Sequence, residues 1–468
     1  MFKRTVLTTA LVAAFTPAWN AHAADNREIG HLREEIRQIK QDYESRIQAL
    51  EKRLQVAESQ SSTSEPAPAP PSAAVAATPR SNANSANAFN PAISLILGGT
   101  YANLSRNPET YRLQGFLPAG KEIGPGKRSF NLGESELTLS ASVDPSFSGQ
   151  LTFALTPDNS AEVEEAFFQT KSLGEGINLK GGRFLSSVGY LNSIHAHAWD
   201  FVDIPLAYQA FFGGQYKADG LQLRWLAPTD RFVEIGVEAG NGSNFPGTQR
   251  NKNGVGSAVL FAHVGDDIGA SSSWRAGLSY LRTKSSERTY DDFDSSGAGI
   301  TNSFSGKSSV WIADAVYKWA PGGNANYSNL KLQAEYFRRK ETGALTYDAS
   351  PQSTNSATGD YSSAQSGWYL QGVYQFQPRW RAGVRYDKLY SSSPDIGLVN
   401  SGALGAADFP GLSSYNPSRT SLMLDFSPSE FSRLRVQFAR DKSRSLETDN
   451  QIFLQYIMSL GTHGAHKY

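Results

Sequence analysis

From residue 92 onward, apolar and polar residues alternate with a period of two, in runs separated by breaker-rich turns. Alternation of this kind predicts half-buried strands. The runs fall at 92–104, 129–143, 147–155, 162–172, 177–185, 218–226, 231–240, 256–265, 271–283, 307–319, 328–340, 366–377, 379–390, 418–427, 430–441 and 450–461, sixteen in all. Within 379–387, Trp380, Ala382, Val384 and Tyr386 share one face, and Arg379, Arg381, Arg385 and Asp387 share the other. Every second connector is short, such as Asp144-Pro145-Ser146, Pro228-Thr229-Asp230 and Gln377-Pro378. Most of those between are long and polar, at 105–128, 186–217, 284–306, 341–365 and 391–417. Short turns at one rim and long loops at the other predict an all-β fold: a 16-stranded antiparallel transmembrane β-barrel, greasy outside and wet inside. A barrel of that size holds water. Aromatic residues near the run ends (Trp311, Trp319, Trp368, Phe376, Trp380, Phe426) fit the two interfacial girdles.

The period changes upstream. Ile29, Leu32, Ile36, Ile39 and Tyr43, then Ile47, Leu50 and Leu54, mark a narrow apolar seam flanked by mixed charge over 24–58. That pattern predicts an N-terminal α-helical coiled coil that pairs with copies of itself. Residues 59–91, rich in Pro, Ala, Ser and Asn, read as a spacer. Residues 1–23 carry Lys3 and Arg4, a short apolar core and Ala21-His22-Ala23, which together predict a secretory signal peptide. The expected order is signal peptide 1–23, periplasmic coiled coil 24–58, linker 59–91 and outer-membrane barrel 92–468, ending on the aromatic Tyr468.

Composition adds three constraints. Cysteine is absent, which removes disulfides and thiolate metal sites. Lys and Arg number 44 and so do Asp and Glu, so no basic footprint points to a nucleic acid. The chain is polar on average yet rich in Phe, Tyr and Trp, a combination that membrane barrels share because every second strand residue faces water.

Candidate chemistry concentrates in one connector and on the lumen face. The segment 186–217 contains Tyr190, His195, His197, Trp199, Asp200 and Asp203, followed by Ile204 to Gly214, and is too apolar for a solvated loop. Folded inward, it narrows the pore. The expected lumen charges are Glu134, Glu136, Glu164 and Glu234 on early strands, and Arg224, Arg275, Lys331, Arg381, Arg385, Arg433 and Arg435 on later ones. An acidic arc would then face a basic arc, orienting polar solutes and favouring anions. His195, His197, Asp200 and Asp203 form a candidate imidazole/carboxylate set for zinc. No cysteine nucleophile, G-x-S-x-G elbow, H-E-x-x-H or phosphate-cradling loop is present, so no enzyme activity is expected.

The overall order and the Gly182-Arg183-Phe184 step before the inward segment resemble Gram-negative porins with periplasmic coiled-coil extensions, above all the phosphate-selective porins. The resemblance implies a homotrimer in which Arg183 and residues 190–213 shape the eyelet. His195 to Asp203, and Leu223 to Asp230, are also similar to barrels labelled zinc-regulated or TonB-dependent outer-membrane receptors. Such receptors need about 22 strands and a globular plug, where this chain has a coiled coil and a spacer. The expectation is a passive trimeric diffusion channel for small hydrophilic solutes, set in outer-membrane lipid and needing no cofactor. Its alternatives are a zinc-linked transporter using His195 and His197, and a structural barrel tethering the envelope.

Overall fold

The computed structural model describes residues 91–461 apart from 118–122, 157–159, 172 and 249–250. The signal peptide, coiled coil, most of the linker and Tyr468 lie outside the described residues.

Sixteen strands form the wall. They are β1 Ala92–Leu104, β2 (in two pieces, Ser129–Leu132 and Ser135–Ser142), β3 Phe147–Leu155, β4 Ala161–Thr170, β5 Ile177–Leu185, β6 Lys217–Leu226, β7 Phe232–Gly240 and β8 Ser257–Ile268. The second half comprises β9 Ser272–Phe293, β10 Gly299–Trp319, β11 Asn329–Tyr347, β12 Ala357–Gln377, β13 Trp380–Tyr390, β14 Ser418–Ser429, β15 Ser432–Lys442 and β16 Asp449–Gly461. Each pairs antiparallel with its sequence neighbours. The register Ser94↔Gly461 to Leu104↔Gln451 joins β1 to β16 and closes the sheet. Closure removes both edges, the condition for a sheet to sit in hydrocarbon.

The dyad pattern explains the two surfaces. Leu278, Leu332, Leu370, Val384, Leu422, Leu424, Val436 and Leu454 point outward and are exposed. A continuous apolar belt of this size belongs against lipid rather than water. Tyr280, Trp311, Tyr336, Trp368 and Tyr386 rim the belt on the long-loop side, with the Tyr280 and Trp311 rings 4.6 Å apart. Trp319, Phe376, Trp380 and Phe426 rim the other side, with the Trp380 and Phe426 rings also 4.6 Å apart.

The sequence-based boundaries need one correction. Strands β9 to β12 run for 22, 21, 19 and 21 residues, so most of the expected loops 284–306 and 341–365 is strand. Trp311 and Trp368 therefore lie inside strands, at the membrane boundary. Above them the alternation continues, shifted in phase by a bulge between Ser285 and Arg288 in β9, but the polar residues now take the outer face and the apolar ones the inner. Arg282, Lys284, Lys307, Arg338 and Lys340 point outward, while Tyr290, Phe304, Leu345 and Tyr361 point inward. The inward set packs with Leu117 and with Ile396, Leu398, Phe409 and Leu412 of the connector 391–417 in a second apolar core beyond the membrane.

Candidate functional site: the inward connector and the charged lumen

The connector between β5 and β6 turns into the barrel, as its apolar composition predicts. Its neck is fastened first. Asn192 donates to the carbonyls of Ser186 (2.8 Å) and Tyr216 (2.9 Å) and accepts from the Tyr216 amide (2.7 Å). Glu238 accepts from the Ser186 hydroxyl (2.6 Å) and the Ser187 amide (2.9 Å). Gly189 then turns with φ +66°, and a Cβ there would stand 2.2 Å from Glu335 Oε2. That close approach lets Glu335 accept the Tyr190 and Leu191 amides at 3.1 and 3.0 Å.

Next the chain crosses the lumen with charges chosen for each wall. On the acidic side, His195 Nδ1 lies 3.0 Å from Glu136 and 3.1 Å from Glu164, and its Nε2 lies 3.1 Å from Glu165. His197 Nδ1 sits 2.8 Å from Glu136. An imidazole with a carboxylate oxygen against each nitrogen donates from both, as imidazolium. On the basic side, Asp200 meets Lys331 at 2.9 Å and Arg381 at 3.2 Å. Asp203 meets Arg385 at 3.0 Å, pairs with Arg419 and accepts from Gln437 at 2.7 Å. Arg435 donates to the Trp199 carbonyl at 2.8 Å, and Arg433 donates to that of His197.

The connector ends in a short helix, α1 Leu206–Phe212, every residue of which is buried. Asp387 accepts the Leu206 amide at 2.9 Å, and Gly213 closes the other end at φ +70°. Tyr208, Phe211 and Phe212 pack on Phe337 of β11, with ring centroids 5.0 to 5.9 Å apart. Arg339 lies over Phe211 and donates to the Ala210 carbonyl. At this level the connector and the inward side chains of the wall it packs on bury one another. Nearer the short-turn rim the lumen is lined by part-exposed cations: Arg224, Arg275, Lys318, Lys331, Arg381 and Arg433.

Several expected site residues are placed differently. Arg183 does not face the lumen. Its neighbour Phe184 points into the core, so strand parity turns Arg183 outward, where it forms a bidentate pair with Asp219 at 2.7 and 3.0 Å. Arg224 is not part of a separate basic arc, since it pairs with Glu234 on the adjacent strand at 3.3 Å. The set His195, His197, Asp200 and Asp203 is split, because opposite charges draw the histidines and the aspartates to opposite walls. Glu136 takes the place of the aspartates beside the histidines, and Glu134, Glu136 and Glu164 cluster next to it. Arg275 and Lys331 flank the Tyr190 ring, each 5.3 Å from its centroid.

Sequence reasoning missed Glu165, Arg419 and Asp425, whereas the alternation over 330–336 already sets Glu335 on the lumen face with Lys331 and Gln333. Arg419 and Asp425 share the inward parity of β14 and were open to discovery. Glu165 was not: a bulge opposite Thr152 and Phe153 turns both Glu164 and Glu165 inward, and such a break in phase leaves no trace in the alternation.

Asp425 anchors the basic wall. It is fully buried, accepts from Arg435 at 2.7 Å and pairs with Arg381. Asp425→Leu should cost about 3–5 kcal/mol, the range for stranding a buried charge, in denaturant titrations of protein folded into vesicles. A loss under about 1 kcal/mol, typical of exposed pairs, would mean that water already screens the cluster.

No family model matches the chain. Solved outer-membrane proteins align with it at low identity. OmpTdeltaL8, a loop-deletion mutant of OmpT from Vibrio cholerae, is 11% identical, with TM-score 0.49, over 80% of this chain and 100% of that one. The outer-membrane channel DcaP of Acinetobacter baumannii is 12% identical, with TM-score 0.44, over 80% and 99%. An anion-selective porin from Comamonas acidovorans is 11% identical, with TM-score 0.46, over 79% and 99%. At these scores the closed sheet itself, rather than the likeness, defines the fold. A sequence relative is much nearer: an uncharacterized protein of Aquifex aeolicus (strain VF5) is 31% identical over 414 residues, 82% of this chain and 81% of that protein, and the chain belongs to the same family as that protein.

Proposed function

We propose that the protein is an outer-membrane diffusion channel for small hydrophilic solutes, with anions favoured. The observation that carries this reading is the inward connector, tied to both charged walls of a closed barrel, with an arc of part-exposed cations (Arg275, Lys318, Lys331, Arg381 and Arg433) beneath it. A wall of sixteen strands encloses an aqueous bore, and the connector restricts it. Basic residues around a vestibule raise the local concentration of anions. In planar bilayers the purified protein should give small, discrete conductance steps. Asp203→Asn, which weakens the hold of Arg385, Arg419 and Gln437 on the connector, should enlarge them. In a salt gradient the reversal potential should carry the sign of anion preference and move towards cations in Lys331→Glu. A folded protein that never opens steps rules the channel out.

The assembly we favour is a homotrimer that joins through the wall around Arg183. This ion pair lies outward, in a cleft with Val163, Ala166, Gly182 and Gly220. A charge facing lipid is costly at mid-depth, and a neighbouring copy would shield it. Native mass spectrometry of the detergent-extracted protein should show trimers, and Arg183→Glu, which sets like charges together, should shift them to monomers. An unchanged distribution would place the interface elsewhere.

A second reading, a zinc-linked transporter, draws support from Glu136, His195 and His197. His195 Nδ1 and His197 Nδ1 stand 3.0 and 2.8 Å from the two oxygens of Glu136, and one ligand atom from each of the three residues lies within 4.8 Å of the others, close enough to converge on one ion with bonds of about 2.0–2.1 Å. Two imidazoles and a carboxylate suit zinc, which would exchange for the imidazole protons. Calorimetric titration with zinc should give heat in the wild type and none in His195→Ala/His197→Ala. Both proteins would carry His463→Ala/His466→Ala, because the sequence places a second, competing pair of histidines three residues apart at 463 and 466, and equal heats would dismiss the site.

A further inference from the structure

The outward face of β9, β10 and β11 changes character directly above the aromatic girdle. Below the girdle, Leu278, Ala313, Ala315, Leu332 and Ala334 face the membrane. Above it stand Arg282 and Lys284 on β9, Lys307 on β10, and Arg338 and Lys340 on β11, all exposed. The register brings them together. Lys284 is directly opposite Lys307, Ser309 lies between Arg282 and Lys340, and Trp311 is opposite Arg338. Ser309, Trp311, Arg338 and Lys340 line a shallow cleft of about 220 Å³.

Two features separate this patch from an ordinary solvated face. Like charges directly opposite across a ladder are unfavourable, yet Lys284 and Lys307 occupy such a pair. Cations elsewhere on this protein find carboxylates readily, as Arg231 does with Asp266 and Arg106 with Glu447 on exposed surface. Among the described residues, none of the five cations above the girdle is within ion-pair distance of a carboxylate. Their height is fixed by Tyr280, Trp311, Tyr336 and Trp368, because interfacial aromatic residues mark headgroup level. Long Lys and Arg stems reach along such a boundary and keep their charges in the polar layer.

We propose that this face binds the phosphorylated headgroup of an outer-leaflet glycolipid of the lipid A type. The long-loop rim is the external rim of an outer-membrane barrel, so the patch meets the leaflet where such headgroups lie. Arg338 and Arg282 offer planar donor pairs to phosphate oxygens, and the lysines act as point charges around them. Ser309 adds a hydroxyl, and the Trp311 and Tyr336 rings carry the acyl chains past the girdle. The site is on the outer wall and stands whether or not the lumen conducts.

Full-length protein, extracted from its membrane in mild detergent, would be exchanged against defined lipid A and weighed by native mass spectrometry. The comparison is with Lys284→Gln/Lys307→Gln/Arg338→Gln/Lys340→Gln, whose folding is checked by heat-modifiable migration. Each cation near an anionic surface is worth roughly fivefold in affinity, so retention of lipid A should weaken by about a hundredfold or more in the variant. Dephosphorylated lipid A should bind wild type no better than it binds the variant. Three results would overturn the site: equal retention by both proteins, displacement of lipid A by millimolar inorganic phosphate alone, or a change of oligomeric state in the variant, which would assign the patch to a protein neighbour.

Discussion

The pairing of the first strand with the last is the constraint on which everything else in this molecule rests. In hydrocarbon an unpaired amide or carbonyl has no solvent to turn to, so the wall must be a closed ladder. Once closed, strand parity decides the fate of each side chain. Odd and even positions go to lipid or to the lumen, and the lumen receives charge that the outside cannot tolerate. Arg385, Arg435, Asp425, Glu136 and Glu164 are buried because closure leaves them no other side.

Charge collected inside a cylinder must in turn be balanced there, and the inward connector does this by position. Its histidines come to lie beside Glu136, Glu164 and Glu165, and its aspartates beside Lys331, Arg381, Arg385 and Arg419. Removing one partner of a buried pair is costly, while the intact pair contributes modest stability. The pairs therefore specify where the connector lies more than how firmly the barrel holds together. The apolar contacts of α1 against Phe337 supply burial, and the ion pairs supply address.

Much of this was legible in the chain. The sixteen dyad runs and their alternating connectors give the barrel, and the composition of 186–217 gives the inward fold. The strand extensions in β9–β12 escaped because the reading followed outward greasy residues, and above the girdle the greasy residues turn inward, in β9 across a bulge that shifts the phase. Arg183 was drawn into the eyelet by a resemblance that its parity contradicts. The His/Asp set looked compact in sequence, since nine residues cover it. The chain still crosses the lumen in that length, by way of a 3-10 turn at Ala196–Ala198, and the two halves reach different walls. Glu165 was hidden by a bulge, a local change of phase that periodicity does not encode.

The fastening at Asn192 has a mechanical corollary. One side chain ties the outgoing and returning strands of the connector at their base, so the excursion beyond it forms a closed loop with a single root. Such a loop has little freedom to unravel residue by residue from either end. The tip contacts at both walls and the root are then three separate anchors of one closed loop, so release of the histidines from the acidic wall leaves the excursion held at Asp203 and at its base.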